Sequence, residues 1–129
     1  MVRTVSIPGF KTDAQKRANH SQDHTALQKA IAQYLSAVGA WHVGLCGGIY
    51  QRPGLPDKCA FILHPVYKIP VSVWIECKTG TGRLTPYQRE VRDEIINHGG
   101  VYILARSVDD VHKRLKAEGL VTVDLLEAR

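Results

Sequence analysis

The stretch Val71-Ser72-Val73-Trp74-Ile75-Glu76-Cys77-Lys78 decides the fold. It is an apolar, β-branched run that ends by setting a carboxylate and an ammonium two residues apart, as in a strand that carries chemistry at its end. Alternation across a strand puts Ser72, Trp74, Glu76 and Lys78 on one face and Val71, Val73, Ile75 and Cys77 on the other. Glu76 and Lys78 then point the same way, with Cα atoms ~6.5 Å apart by strand rise. That spacing lets both side chains converge on one small ligand, such as a metal ion with its water and a phosphate. Opposite charges also pair on strands without any function. The flanking sequence therefore has to decide between a site and an exposed ion pair.

Upstream, Leu27, Ile31, Leu35 and Val38 recur at helical steps, and Gly39 follows as a stop, which predicts a helix over about Gln22 to Val38. His24 falls one turn before Leu27, on or beside the buried stripe. Trp41–Leu45 reads as a short strand broken by Cys46-Gly47-Gly48. The chain then passes through Gly54-Leu55-Pro56-Asp57 into a second strand, Cys59–Leu63. Pro56 biases Leu55 toward extended geometry and holds Asp57 where that strand begins. Residues 64–70 are long enough to make Val71–Lys78 its antiparallel neighbour, so that Asp57 and Glu76 come across adjacent strands.

Downstream, Thr79-Gly80-Thr81-Gly82-Arg83 is a turn. Thr85-Pro86-Tyr87-Gln88 opens a helix with a capping box and proline at the first helical position. Val91 and Ile95 continue its stripe, His98-Gly99-Gly100 ends it, and Val101–Ala105 is a strand. Ser107 to Asp110 caps a last helix with Val108, Val111 and Leu115 inward, and Val121–Leu126 suggests a short edge strand. A strand-helix-strand unit implies a parallel crossover, whereas the earlier strands read as hairpins. The expected fold class is α/β, a mixed sheet with helices on its faces.

The chain has 129 residues, 44% of them hydrophobic, which suits one domain able to bury a core without staples. Residues 1–20 are polar and basic and read as an arm, either poorly ordered or tracking a phosphate backbone or a partner subunit, with a single domain over residues 21–129. No apolar run is long enough for a membrane helix, and the first residues lack the pattern of a secretory signal, so no membrane partner and a cytoplasmic location are expected. The three cysteines, Cys46, Cys59 and Cys77, show no Cys-x-x-Cys spacing and read as small apolar fillers. A formal charge of +5 favours acidic partners such as nucleic acid. A phosphate loop at Lys78-Thr79-Gly80-Thr81-Gly82 is excluded, because that motif needs glycine before the lysine and a helix directly after it.

Asp57, Glu76 and Lys78 are the residue types that metal-assisted phosphodiester hydrolysis requires. Two carboxylates give hard oxygen ligands for Mg²⁺ or Mn²⁺ and leave positions for water and a phosphate oxygen. A lysine supplies a compact positive charge beside them. Lys58 and Arg83, which flank these motifs, are candidates for phosphate contacts, with solvated surface charge as the ordinary alternative.

The motifs Gly54-Leu55-Pro56-Asp57, Ile75-Glu76-Cys77-Lys78, Gly82-Arg83-Leu84 and Gln88 resemble those of the virus-type replication-repair nuclease (VRR-NUC) domain of the PD-(D/E)xK nuclease superfamily. The resemblance runs from the first helix to about Val111. It implies a restriction-endonuclease-like αβββαβ core and a Mg²⁺- or Mn²⁺-dependent endonuclease acting on branched or junction DNA, as a homodimer. It further implies Asp57 and Glu76 as metal ligands, the Cys77 carbonyl as another, Lys78 as the catalytic lysine, and Gln88 beside the active site. Gln88 also closes the capping box with Thr85, and the two roles are compatible. The family's first helix usually carries a glutamate three residues before a Leu-Gln pair, and here that slot holds His24. A histidine there either ligates the metal or hydrogen-bonds its water, shifting preference toward Mn²⁺. It also leaves open a nucleic-acid-binding module that keeps the nuclease fold with weak or lost catalysis, and a capping or packing histidine.

Overall fold

The computed structural model describes residues 3–6, 24–45, 47 and 51–126. The elements are β1 (Arg3–Ser6), α1 (His24–Ala37), β2 (Trp41–Gly44), β3 (Lys58–Leu63), β4 (Pro70–Cys77), α2 (Pro86–Asn97), β5 (Val101–Ala105), α3 (Val108–Ala117) and β6 (Val123–Leu126). From α1 to β5 this is the expected αβββαβ order, and the fold is α/β. The main sheet runs β2-β3-β4-β5, antiparallel at the first two pairings and parallel between β4 and β5. The parallel pairing follows from α2, which carries the chain back along the sheet before β5 begins.

The β3–β4 connection is built around His64. Its Nδ1 accepts from the amides of Val66 and Tyr67, both at 3.1 Å, and its own amide donates to the Ile69 carbonyl at 2.8 Å. This sets Lys58 opposite Ile75 and Leu63 opposite Pro70. The register brings the start of β3 beside the end of β4, where the site lies.

Val73, Ile75 and Cys77 of β4, with Ala60, Ile62, Val101, Ile103 and Ala105 on the neighbouring strands, form a continuous apolar face. Helices α1 and α3 cover it with Leu27, Ile31, Tyr34 and Leu35 from one and Val108, Val111 and Leu115 from the other. The opposite face carries Trp74, Glu76 and Tyr102, and α2 contributes the buried Val91. Side chains that alternate along β4 thus separate a dry core from a polar site.

Tyr34, which the periodicity of α1 leaves unmarked, is fully buried and pairs with the buried His112 of α3 through a 2.8 Å hydrogen bond. Burial pushes the phenol pKa up and the imidazole pKa down, the latter helped by Lys116. Both groups therefore stay neutral, joined by one hydrogen bond between the hydroxyl and Nδ1. Helix α3 is capped by Ser107, whose hydroxyl accepts from the Asp110 amide at 3.1 Å, and carries Asp109 and Asp110 in its first turn.

Two findings fall outside the sequence reading. Within the stretch read as an arm, Arg3–Ser6 is a strand, while residues 1–2 and 7–23 of the arm and helix approach, and Cys46, lie outside the described residues. Its partner is β6, in parallel register from Arg3 opposite Val123 to Ser6 opposite Leu126. Strand β6 is therefore part of a separate two-stranded ribbon and does not extend the edge of the main sheet.

Tyr34→Phe removes the hydrogen-bond partner of a buried imidazole nitrogen without creating a large cavity. It is expected to cost about 1–3 kcal/mol in urea unfolding. An unchanged unfolding free energy would mean that the pair does not hold α1 to α3.

Candidate active site

Asp57 stands immediately before β3, and the antiparallel pairing brings it to the end of β4. Its Oδ2 accepts the Cys77 amide hydrogen at 2.8 Å, so the carboxylate is tied directly to the neighbouring strand. Glu76 and Lys78 lie on one face as alternation requires, with Lys78 Nζ 3.8 Å from Glu76 Oε1. Gln88 closes the capping box with Thr85 and also reaches Glu76. Its Oε1 accepts from the Thr85 amide at 2.9 Å, and its Nε2 donates to Glu76 Oε1 at 3.1 Å.

The loop that delivers Asp57 is docked on α2. Gly54 has φ +89°, and a Cβ there would lie 2.5 Å from the Tyr87 carbonyl carbon and oxygen, so only glycine permits this approach. Arg52 adds ion pairs to Glu94 and, at 3.8 Å, to Glu90 of the same helix. Asp57 and Gln88 are thereby held by one unit of loop and helix. Pro56, between them, is fully buried.

His24, the first residue of α1, brings its Nε2 within 3.0 Å of the Cys77 carbonyl oxygen and 3.3 Å of Asp57 Oδ2. A carbonyl oxygen only accepts, so Nε2 carries a hydrogen in this arrangement. One turn on, Gln28 Nε2 donates to Asp57 Oδ1 at 3.0 Å. The first turns of α1 and α2 both face the carboxylates, and helix N-termini favour negative charge.

The two carboxylates have different surroundings. Both oxygens of Asp57 meet protein donors. Glu76 is only 4% exposed, and its Oε2 is buried with no hydrogen-bond partner. Burial, reinforced by the charge of Asp57 and opposed by Lys78, pushes the Glu76 pKa up to about 7. The Cys77 thiol lies on the core face, pushed up to about 12 mainly by burial, which leaves the backbone carbonyl as the atom that residue can offer.

Among the described residues no three His, Cys, Asp or Glu side chains are grouped to hold a metal by themselves. A cation site here would draw on oxygens beyond these side chains, from the backbone or from water. Such donors are present: a bare buried carboxylate oxygen on Glu76, Asp57 Oδ2, and the Cys77 carbonyl, which shares His24 Nε2 as a neighbour with Oδ2. All are hard oxygens of the kind Mg²⁺ and Mn²⁺ accept.

Lys58 lies with Ala60 and Ile62 on the core face and is 8% exposed, so it is not one of the solvated surface cations. Its Nζ lies against β2, 4.0 Å from where a Gly44 Cβ would stand, and helps lower the pKa of His42. Arg83 is exposed on the loop after β4. Arg106 steadies that loop by donating to the carbonyls of Gly80 at 2.9 Å and Gly82 at 2.7 Å. Sequence reasoning missed Gln28, Arg106 and Tyr102, whose buried hydroxyl has no partner on the sheet face that carries Glu76. The Leu27-Gln28 pair of the family pattern was the only signal for any of them.

No family model, no curated protein and no solved structure matches the chain.

A buried carboxyl whose folded pKa exceeds its unfolded one stabilises the fold while protonated. That contribution is complete below about 4.5 and is lost as pH rises through about 7. In the presence of a chelator, the melting temperature is expected to decline over this window, and Glu76→Gln is expected to remove part of the decline. Equal slopes for the two proteins would contradict the burial of a titrating Glu76.

Proposed function

We propose that this chain is a metal-dependent DNA endonuclease of the VRR-NUC type, hydrolysing phosphodiester bonds in branched or junction DNA. The observation that carries the reading is the convergence of Asp57, Glu76, Lys78, Gln88 and the Cys77 carbonyl at one corner of an αβββαβ core. Asp57 Oδ2, the Cys77 carbonyl and Glu76 Oε2 would hold Mg²⁺ or Mn²⁺. The bound ion would neutralise phosphate charge and lower the pKa of a coordinated water.

The protein's own groups do the positioning. Lys78 brings an ammonium beside Glu76, where it lowers the cost of negative charge on a phosphate oxygen. Gln88 fixes which oxygen of Glu76 is free by occupying the other. The N-termini of α1 and α2 and the +5 formal charge favour an anionic substrate. Arg83, on the loop steadied by Arg106, is proposed to contact the substrate backbone.

A second reading, a nucleic-acid-binding module with weak catalysis, is favoured by one observation. His24 presents an N–H, not a lone pair, to the Cys77 carbonyl. Ligation by His24 needs the other tautomer, with the hydrogen on Nδ1. A homodimer is proposed with the family resemblance, and the exposed Trp41, Phe61 and Leu63 of β2 and β3 offer it an apolar surface. No described helix is long and apolar enough to cross a membrane. A cytoplasmic location is part of the same proposal.

A panel of single-stranded, duplex, flap and four-way DNA, incubated with Mg²⁺ and with Mn²⁺, tests the reading. Cleavage of a branched substrate is expected, abolished in Asp57→Asn and Glu76→Gln with DNA binding retained, and reduced at least 100-fold in Lys78→Ala. Binding without cleavage under either metal would favour the second reading. Full activity in either carboxylate variant would remove the site.

A further inference from the structure

Gln28 is the fifth residue of α1, one turn beyond His24. Its half-buried side chain reaches across to a residue 29 positions away and donates to Asp57 Oδ1 at 3.0 Å. A carboxylate presents only acceptors, so the amide nitrogen must face Asp57. His24 and Gln28 are four residues apart and therefore on one face of the helix, and each addresses a different oxygen of the same carboxylate. Oδ2 is fixed by the Cys77 amide at 2.8 Å and Oδ1 by Gln28. With both oxygens held, the carboxylate cannot rotate about its own axis. Oδ2 stays on the Cys77 amide, near His24 Nε2, which also meets the Cys77 carbonyl.

The residue type at position 28 matters as much as the contact. A lysine or arginine could donate to Oδ1, but its charge would repel a cation at Oδ2. A glutamate would have no hydrogen to donate and would oppose the charge of Asp57. A neutral amide orients the carboxylate and leaves its full charge available.

We infer that Gln28 is a positioning residue for the cation site, acting through Asp57 by fixing which carboxylate oxygen faces the metal. The inference rests on the proposed reading of Asp57 as a metal ligand. Gln28 touches neither metal nor substrate. Supporting hydrogen bonds to metal ligands change affinity by about 10–100-fold when removed.

The test is Mn²⁺ binding to the full chain without DNA, followed by the loss of the free-ion electron paramagnetic resonance signal. Gln28→Met keeps length and volume and removes the donor, and Gln28→Ala is a second variant should methionine disturb the helix. Both are expected to weaken Mn²⁺ binding about 10-fold while the metal-free melting temperature changes little. In an Asp57→Asn background, Gln28→Met is expected to cause no further loss, because its effect passes through the carboxylate. Parental Mn²⁺ affinity in Gln28→Met and Gln28→Ala, with Asp57→Asn impaired, would overturn the role of Gln28 and leave the site standing. An additive loss in the double variant would overturn it as well. Parental affinity in Asp57→Asn itself would overturn the metal site and, with it, this inference.

Discussion

The hydrogen bond from the Cys77 amide to Asp57 Oδ2 is the contact on which the site depends. It ties the residue leading into β3 to the residue closing β4, and so converts a strand pairing into a fixed relation between two carboxylates. Backbone pairing, continued by the Leu45 amide on the Asp57 carbonyl at 2.7 Å, places the Asp57 main chain, and the Cys77 amide places its side chain. Around this bond the rest of the corner is assembled: His24 and Gln28 arrive from α1, while Gly54 and Arg52 fasten the incoming loop to α2. Helix α2 in turn carries Gln88 to Glu76. The fold thus supplies four elements to one small volume, and none of them contributes a whole site.

The electrostatic consequence is an uneven pair of acids. Asp57 has its charge met by donors on both oxygens. Glu76 is buried with one oxygen bare, and burial together with the charge of Asp57 raises its pKa against the opposing charge of Lys78. Burying an unpaired carboxylate oxygen is costly, and a protein that tolerates this without a functional reason sacrifices stability. A cation would relieve both the bare oxygen and the repulsion between the two acids. That is the physical ground for reading this corner as a metal site.

Much of the fold was legible in the sequence because its signals are local. Val101–Ala105 is a short apolar run between Gly100 and Ser107, and α2 announces itself with Thr85, Pro86 and Gln88. The alternation of Val71–Lys78 placed Glu76 and Lys78 on one face, and the hairpin brought Asp57 to them. The features that escaped are those that join residues far apart. Nothing in the local pattern of Arg3–Ser6 points to Val123–Leu126, and nothing near Tyr34 points to His112. Apart from its place in a Leu-Gln pair, Gln28 looks like any polar helix residue until Asp57 stands beside it. Lys58 escapes for a different reason: lysine is so often solvated that its place in the alternation with Ala60 and Ile62 is a weak signal of burial.

The most direct measurement is anomalous diffraction from crystals of the protein soaked in Mn²⁺. A peak bonded at about 2.2 Å to Asp57 Oδ2, the Cys77 carbonyl oxygen and Glu76 Oε2 is the expected result. Crystals that show Mn²⁺ bound elsewhere, or none at this corner while the three oxygens remain accessible, would contradict the assignment of the β3–β4 corner as a metal-dependent active site.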